Sequence, residues 1–352
     1  MYKRDACWHD IIRTLNLEGK LLMIIQHAIL HILDTNTGNL IASQGEMPVT
    51  DIGVHDYIEK LVNKIYAGDV KTGTITGNDY LQTILAEKDF PKMTTELAMK
   101  LFEVVTGSEN IQAGDLLSFQ ATTDDGPIFG MIKLNFSPRY AHAVAYVSEK
   151  MVNNLVLNQA VLPAATQTVD EAILINMTTS KYHLIEKKHL IDGHRVAYFS
   201  EKFLDIIPDV SIKENLQTIK RTIKNVAEKY DDLPEHEALA TTQAAIYEAL
   251  EAGSIDTEVI AEKVFNDNEP AKSLYREQIS KKIVDKEIPV ENTKKYEKKY
   301  RVQKFKLDSG IEISIPMAIY QDKTKVEFVN QSNGTTSLII KDIETVLNKF
   351  TV

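Results

Sequence analysis

A chain of 352 residues, 43% hydrophobic and 26% charged, has room for two or three domains with sizeable cores. A formal net charge of −10 argues against a simple basic nucleic-acid binder but leaves room for a local basic patch. The single cysteine, Cys7, excludes an intrachain disulfide and fits a reducing cytoplasm, and no apolar run reaches the length of a membrane span.

Residues 1–22 hold that cysteine and the one tryptophan, in a pattern that is neither clearly helix nor strand. At Met23 the text turns into MIIQHAILHILD, a buried strand, and Met23 is expected to be the natural start, with 1–22 an extension that need not be native. Ile24–Leu33 and Asn39–Ala42 flank turn-forming residues, so a hairpin is expected, with His27 and His31 on one strand face as satisfied, partly buried histidines. Thr50–Tyr66 is expected as a helix with Ile52, Ile58, Leu61, Val62 and Ile65 inward, and Thr94–Val105 as another. Asp115–Thr122 and Ile128–Asn135 flank an Asp-Gly turn, where Asp124 and Asp125 read as turn formers rather than metal ligands. Asn154–Val161, Glu171–Met177 and Tyr182–Lys187 extend the strand text, and Tyr198–Ile207 reads as a helix stopped by Pro208.

Ser211–Tyr230 divides the chain. Ile212, Leu216, Ile219, Ile223 and Val226 make one apolar helical stripe, and Ser211 with Glu214 is spaced as a capping box. Lys213, Lys220, Arg221 and Lys224 lie on a neighbouring face. Strands precede this helix and helices follow it: one from Asp232-Leu233-Pro234-Glu235 to Gly253, then Asp256–Phe265 and Ala271–Val284. Alternation returns over Lys304–Lys325, Val326–Val329 and Ser337–Ile340, around an Asn333-Gly334 turn, and Asp342–Phe350 is expected as a final helix. The expected class is α+β: a mixed sheet-and-helix domain over 23–208, a helical domain over 209–290, and a basic linker with a small β-rich subdomain over 291–352.

Chemistry is hard to find. The chain has no phosphate loop, dinucleotide fingerprint, nucleophile elbow or H-E-x-x-H, and one cysteine cannot make a C-x-x-C site. His183, His189 and His194 match no ligand spacing. No catalytic residue, metal or cofactor is therefore expected. Charge is more informative. Residues 271–306 carry +7, which leaves −17 for the remainder. The cations there include Lys272, Arg276, Lys281, Lys282, Lys294, Lys295, Lys298, Lys299 and Arg301, interleaved with Tyr296, Tyr300 and Phe305. Such a mixture suits phosphate pairing with stacking on bases, and equally suits a solvated linker. Asp256–Phe265, a break, and Ala271–Lys282 also have the rhythm of a helix-turn-helix, with a long turn that lacks glycine.

Four stretches carry a resemblance: IIQHAILHILD at 24–34, GDLLSFQATTDDGPIFGMIKLNF at 114–136, VDEAILINMTTSKYHLIEKKHLIDGHRVAYFSEKFLDIIP at 169–208, and the ending from Lys304 to Phe350. In element order and apolar pattern the chain resembles the bacterial nucleoid-associated protein family (NdpA-like) from Met23 onward. The resemblance implies a cytoplasmic protein found with the nucleoid, binding DNA or DNA-bound machinery, and brings no catalytic motif. The leading expectation is a non-enzymatic protein whose basic half binds double-stranded DNA largely without sequence preference, through counterion release, with a homo-oligomer allowed. The expected DNA contacts are the cations of 211–230 and 271–301 named above. A protein-interaction adaptor that does not touch DNA is the alternative.

Overall fold

The computed structural model describes residues 23–35, 37–230, 234–283, 285–290, 293–331 and 334–347. The chain divides into two compact units, the first ending at Ser211 and the second starting at Ile212. The α+β class is as expected.

The first unit is a helix–sheet–helix sandwich. Its elements are β1 (Met23–Asp34), β2 (Asn39–Ile41), α1 (Ile52–Ala67), β3 (Lys71–Thr74), α2 (Asp79–Leu85), α3 (Phe90–Thr106), β4 (Gly114–Thr123), β5 (Gly126–Asn135), β6 (Arg139–Val147), β7 (Lys150–Asn158), β8 (Glu171–Asn176), β9 (Lys181–Ile185), β10 (His189–Ile191) and β11 (His194–Val196). Seven of these strands form one antiparallel sheet in the order β2-β1-β4-β5-β8-β9-β3. Its middle strands read as unbroken apolar text because both faces are covered. Phe129, Met131, Ile173 and Ile175 pack under α2 and α3, while Leu117, Phe119, Ile132 and Leu174 pack under α1.

A bulge in β1 reconciles its sequence with that sandwich. The register slips between Ile25 and His27, so Met23 and Ile25 share the α1 face with Ala28. His27, Ile29, His31 and Leu33 then turn toward α3, where His27 stacks on Phe90. The two histidines do share a face. Between β4 and β5, Phe119 lies opposite Gly130, and a Cβ on that glycine would sit 2.2 Å from the ring.

Three expectations fail here. Ile52 is exposed at the start of α1. The helix expected over Tyr198–Ile207 is a short π-helical turn, Phe199–Leu204, ended by Asp205 in the left-handed conformation. That turn rotates Ile207 fully into solvent while Phe199, Phe203 and Leu204 stay buried. The strand expected over Asn154–Val161 forms over Asn154–Asn158 but not beyond, as the second half of β7, paired with a β6 that carries no clear alternation.

The second unit holds α4 (Ile212–Ala227), α5 (Glu235–Ala252), β12 (Ser254–Asp256), α6 (Thr257–Phe265), α7 (Glu269–Ser280), β13 (Glu287–Pro289), α8 (Thr293–Tyr300), β14 (Val302–Lys306), β15 (Glu312–Pro316), α9 (Met317–Tyr320), β16 (Val326–Asn330) and β17 (Thr336–Ile340). The stripe of α4 packs as expected: Leu216, Ile219, Ile223 and Val226 meet Ala245, Ile246, Ile260, Tyr275 and Tyr296 in one core. Gly253, in the left-handed conformation, ends α5. Asp232 and Asn333 fall outside the described residues.

The basic stretch is helix and strand, α8 and β14, rather than linker. Residues 342–347 are not helical, against expectation. Ile343, Val346 and Leu347 are all exposed, and a short segment without a surface to dock on does not repay helix nucleation.

Candidate nucleic-acid interface

The apolar stripe of α4 fixes which of its residues meet water. With Leu216, Ile219 and Ile223 inward, Lys213, Lys220, Arg221 and Lys224 are exposed. Lys224 is shared with Glu235 at 3.0 Å and Glu228 at 3.8 Å, and these partners raise its pKa. Among the described residues, Lys220 and Arg221 have no carboxylate within ion-pair distance.

On α7 the expected cations are largely spent inside the protein. Lys272 is buried, with Nζ 2.7 Å from Glu262 and 2.9 Å from Glu269. Arg276 binds Glu258 through Nε at 2.7 Å, touches it again through Nη2, and reaches Glu262 at 2.8 Å. These bonds raise the pKa of both cations and lower that of Glu262. Tyr275 is buried in the core. The second helix of the supposed helix-turn-helix therefore turns its cations and its tyrosine onto α6 and the core, so no recognition face remains. Its solvent side carries Ser273, Glu277 and Ser280, and Lys281 pairs with Glu277 at 2.7 Å. Lys282 is exposed and reaches α4, with Nζ 3.5 Å from Thr222 Oγ1.

On α8, Tyr296 is buried and Tyr300 packs beside it, since a four-residue step keeps both on the inner face. Phe305 stacks on Tyr320 and Phe328. The aromatic residues thus serve the core and are not offered to bases. Lys298, Lys299 and Arg301 are exposed, and Lys295 is half-buried. Lys295 and Lys299 lie near the rings of Tyr296 and Tyr300. The side chain of Lys294 lies outside the described residues.

One side of this unit is hostile to phosphate. A groove of about 840 Å³ between α5 and the C-terminal hairpins is lined by Glu237, Glu248, Glu251 and Glu327, against Lys263 and Lys323.

The first unit has a buried polar centre that no local motif announced. Lys133, on β5, is almost fully buried and donates to Gln112 O at 2.5 Å and to Asn135 Oδ1. Asn135 Nδ2 donates to Glu171 Oε2 at 2.8 Å, and His189 Nε2 lies 3.0 Å from Glu171 Oε1. Burial pushes the Lys133 amine down to about 8, opposed by Glu171. The group borders a cavity of about 250 Å³ in which Asp170 pairs with Lys187 at 2.6 Å. Each charge here has a partner, which is the arrangement of a structural network. His189 was legible only as one of three scattered histidines. Among the described residues, His55, Asp56 and Glu59 form the trio that could gather at a metal, on the outer side of α1. No helix among the described residues is long and apolar enough to cross a membrane.

Residues 29–348 match the family described as nucleoid-associated protein YejK. The chain belongs to this family. The match runs through both units, takes in the stretches at 114–136 and 169–208 whole, and covers the first from residue 29 and the last to residue 348. No curated protein matches the chain.

Proposed function

We propose that this chain serves the nucleoid without catalysing a reaction, and that it binds double-stranded DNA directly and largely without sequence preference. The contacts would come from the outward cations of the second unit: Lys213, Lys220 and Arg221 on α4, Lys282 beside it, and Lys295, Lys298, Lys299 and Arg301 at α8. The supporting observation is that Lys220, Arg221, Lys298 and Arg301 are exposed and, among the described residues, have no carboxylate partner, in a chain that is net acidic. Unpaired surface cations have counterions to release, and that release drives sequence-independent binding. Lys272 and Arg276 are left out because α6 already holds them. A mobility-shift assay with mixed-sequence duplexes at low and moderate salt tests the reading. Retardation at low salt that fades at moderate salt is expected, and no retardation at low salt removes it.

A second reading is favoured by the acidic groove and by the ion pairs of α6 and α7. In it the protein docks on nucleoid-bound machinery through α8 and leaves DNA to its partner. Charge reversal at Lys294, Lys295, Lys298 and Lys299 separates the two. Loss of a protein pull-down with DNA retention unchanged favours the adaptor.

A further inference from the structure

The hairpin of β6 and β7 stands apart from every core of its unit. Nine residue pairs are in register from Arg139–Asn158 to Val147–Lys150, yet no residue of either strand is buried. Pairing sorts its side chains into two faces. One carries Tyr140, His142, Tyr146, Met151, Leu155 and Leu157 around a Val144–Asn153 pair, and Tyr146 and Leu155 are 77% and 76% exposed. The other is built on Ala141, Ala143 and Ala145 with Val152 and Val156. The strands meet in a two-residue turn, Ser148-Glu149, with both residues at positive φ (50° and 64°). Neither is glycine, so the turn is strained, and such strain persists where surroundings fix it. A lone two-stranded hairpin is at best marginally stable in water. This arm is a surface built for a partner.

The composition of the arm indicates which partner. Residues 140–147 and 151–157 contain no Asp, Glu, Lys or Arg; the charges of the arm, Arg139, Glu149 and Lys150, lie at its two ends, so the faces between them offer little to phosphate or to a charged peptide. Two chains of net charge −10 repel each other, and an uncharged arm is where they can approach without opposing carboxylates. Asn153, near the middle of the large face, carries both a donor and an acceptor and can bond its own copy across a two-fold axis. Six exposed large apolar residues at ~100 Å² each give ~600 Å² from one face, and the open strand edges add to it, against ~800 Å² per partner in a standard interface. Between Arg139 at the base and Lys150 beside the turn, the strand edges bear no lysine or proline to block strand addition.

We infer that the β6–β7 arm is the dimerisation element of this protein, packing its large face on the same face of a second copy about a two-fold axis near Asn153. The interface is independent of how the chain meets DNA. The test is sedimentation of the full chain and of Tyr146→Asp/Leu155→Asp over a range of concentrations, with far-UV circular dichroism to check folding. Both substituted side chains are exposed, so the fold is expected to survive. The wild type should sediment at twice the monomer mass and the variant should dissociate at least tenfold more readily. A wild type that stays monomeric at every concentration overturns the inference, as does a variant that dimerises as tightly as the wild type. Should the variant misfold, hydrogen exchange of the wild-type arm decides. Amides of β6 and β7 that become protected as concentration rises support the dimer, and protection independent of concentration overturns it.

Discussion

Glu262, on α6, holds the Lys272 ammonium of α7 at 2.7 Å, although the helix-turn-helix rhythm of the sequence points that lysine at DNA. The contact divides the cations of the second unit into those used to join two helices and those facing outward. Lys272→Ala should therefore leave DNA retention unchanged while lowering stability. Lys220→Glu with Arg221→Glu should weaken retention at least tenfold and reduce the salt dependence, since each lost phosphate contact removes about 0.9 from the slope of log K on log salt. Parallel mobility shifts and urea melts of the two variants check the division. Equal loss of DNA retention in both would contradict it.

Ile219 is fully buried at the centre of the α4 stripe. Ile219→Asp places an unpaired carboxylate among Ile, Val and aromatic side chains, at a cost of at least ~3 kcal/mol. Urea denaturation should show an early transition for the second unit, and a variant that melts with the wild type would refute the packing described for α4.

That stripe shows what a single sequence makes legible. The period of α4, the Asp124-Asp125 turn and the alternation of β14 and β15 follow from local spacing, and each formed where expected. Partnership is not local. Nothing within residues 271–282 says that Lys272 and Arg276 meet Glu262 and Glu258, because those contacts depend on how α7 crosses α6. Nor does alternation reveal β6 or the start of β7, since both faces of the hairpin are largely apolar and neither is buried. The network of Lys133, Glu171 and His189 is assembled from three elements and leaves no signature in any of them.

His31 is buried against α3, donating from Nε2 to Thr94 Oγ1 at 3.0 Å and accepting at Nδ1 from the Ser43 N–H at 3.2 Å. Burial lowers its pKa from 6.5 to about 4, so the fold keeps it neutral. As pH falls below 6.5 the unfolded chain takes up this proton first. The stability that His31 contributes is complete above that pH and is lost progressively toward pH 4, by up to about 3 kcal/mol. Urea midpoints of wild type and His31→Gln between pH 7 and pH 4 should converge as the pH drops. A constant difference would show that His31 does not titrate in that window.

Glu171 is fully buried and accepts from both Asn135 and His189 while compensating Lys133. Glu171→Leu removes the largest of the carboxylate charges that offset the buried Lys133 ammonium, with Asp170 and Asp115 remaining, and takes the acceptor from Asn135 and His189, which together cost about 3–5 kcal/mol. Burial already holds the Lys133 amine down to about 8 with Glu171 opposing, so loss of Glu171 lowers it further; raising the pH then deprotonates it in the fold before the unfolded chain and should restore part of the loss. Melting curves at pH 7 and pH 9 test both parts, and a variant equally unstable at the two pH values would contradict the role given to Lys133.

The measurement that bears most directly on the proposed function is the salt dependence of duplex binding by the intact chain, on two duplexes of unrelated sequence. Direct contact through the outward cations of α4 and α8 predicts linear plots of log K against log salt with the same slope on both duplexes, about −4 to −6 for roughly four to seven phosphate contacts. Binding that does not change with salt, or no binding at low salt, would contradict it.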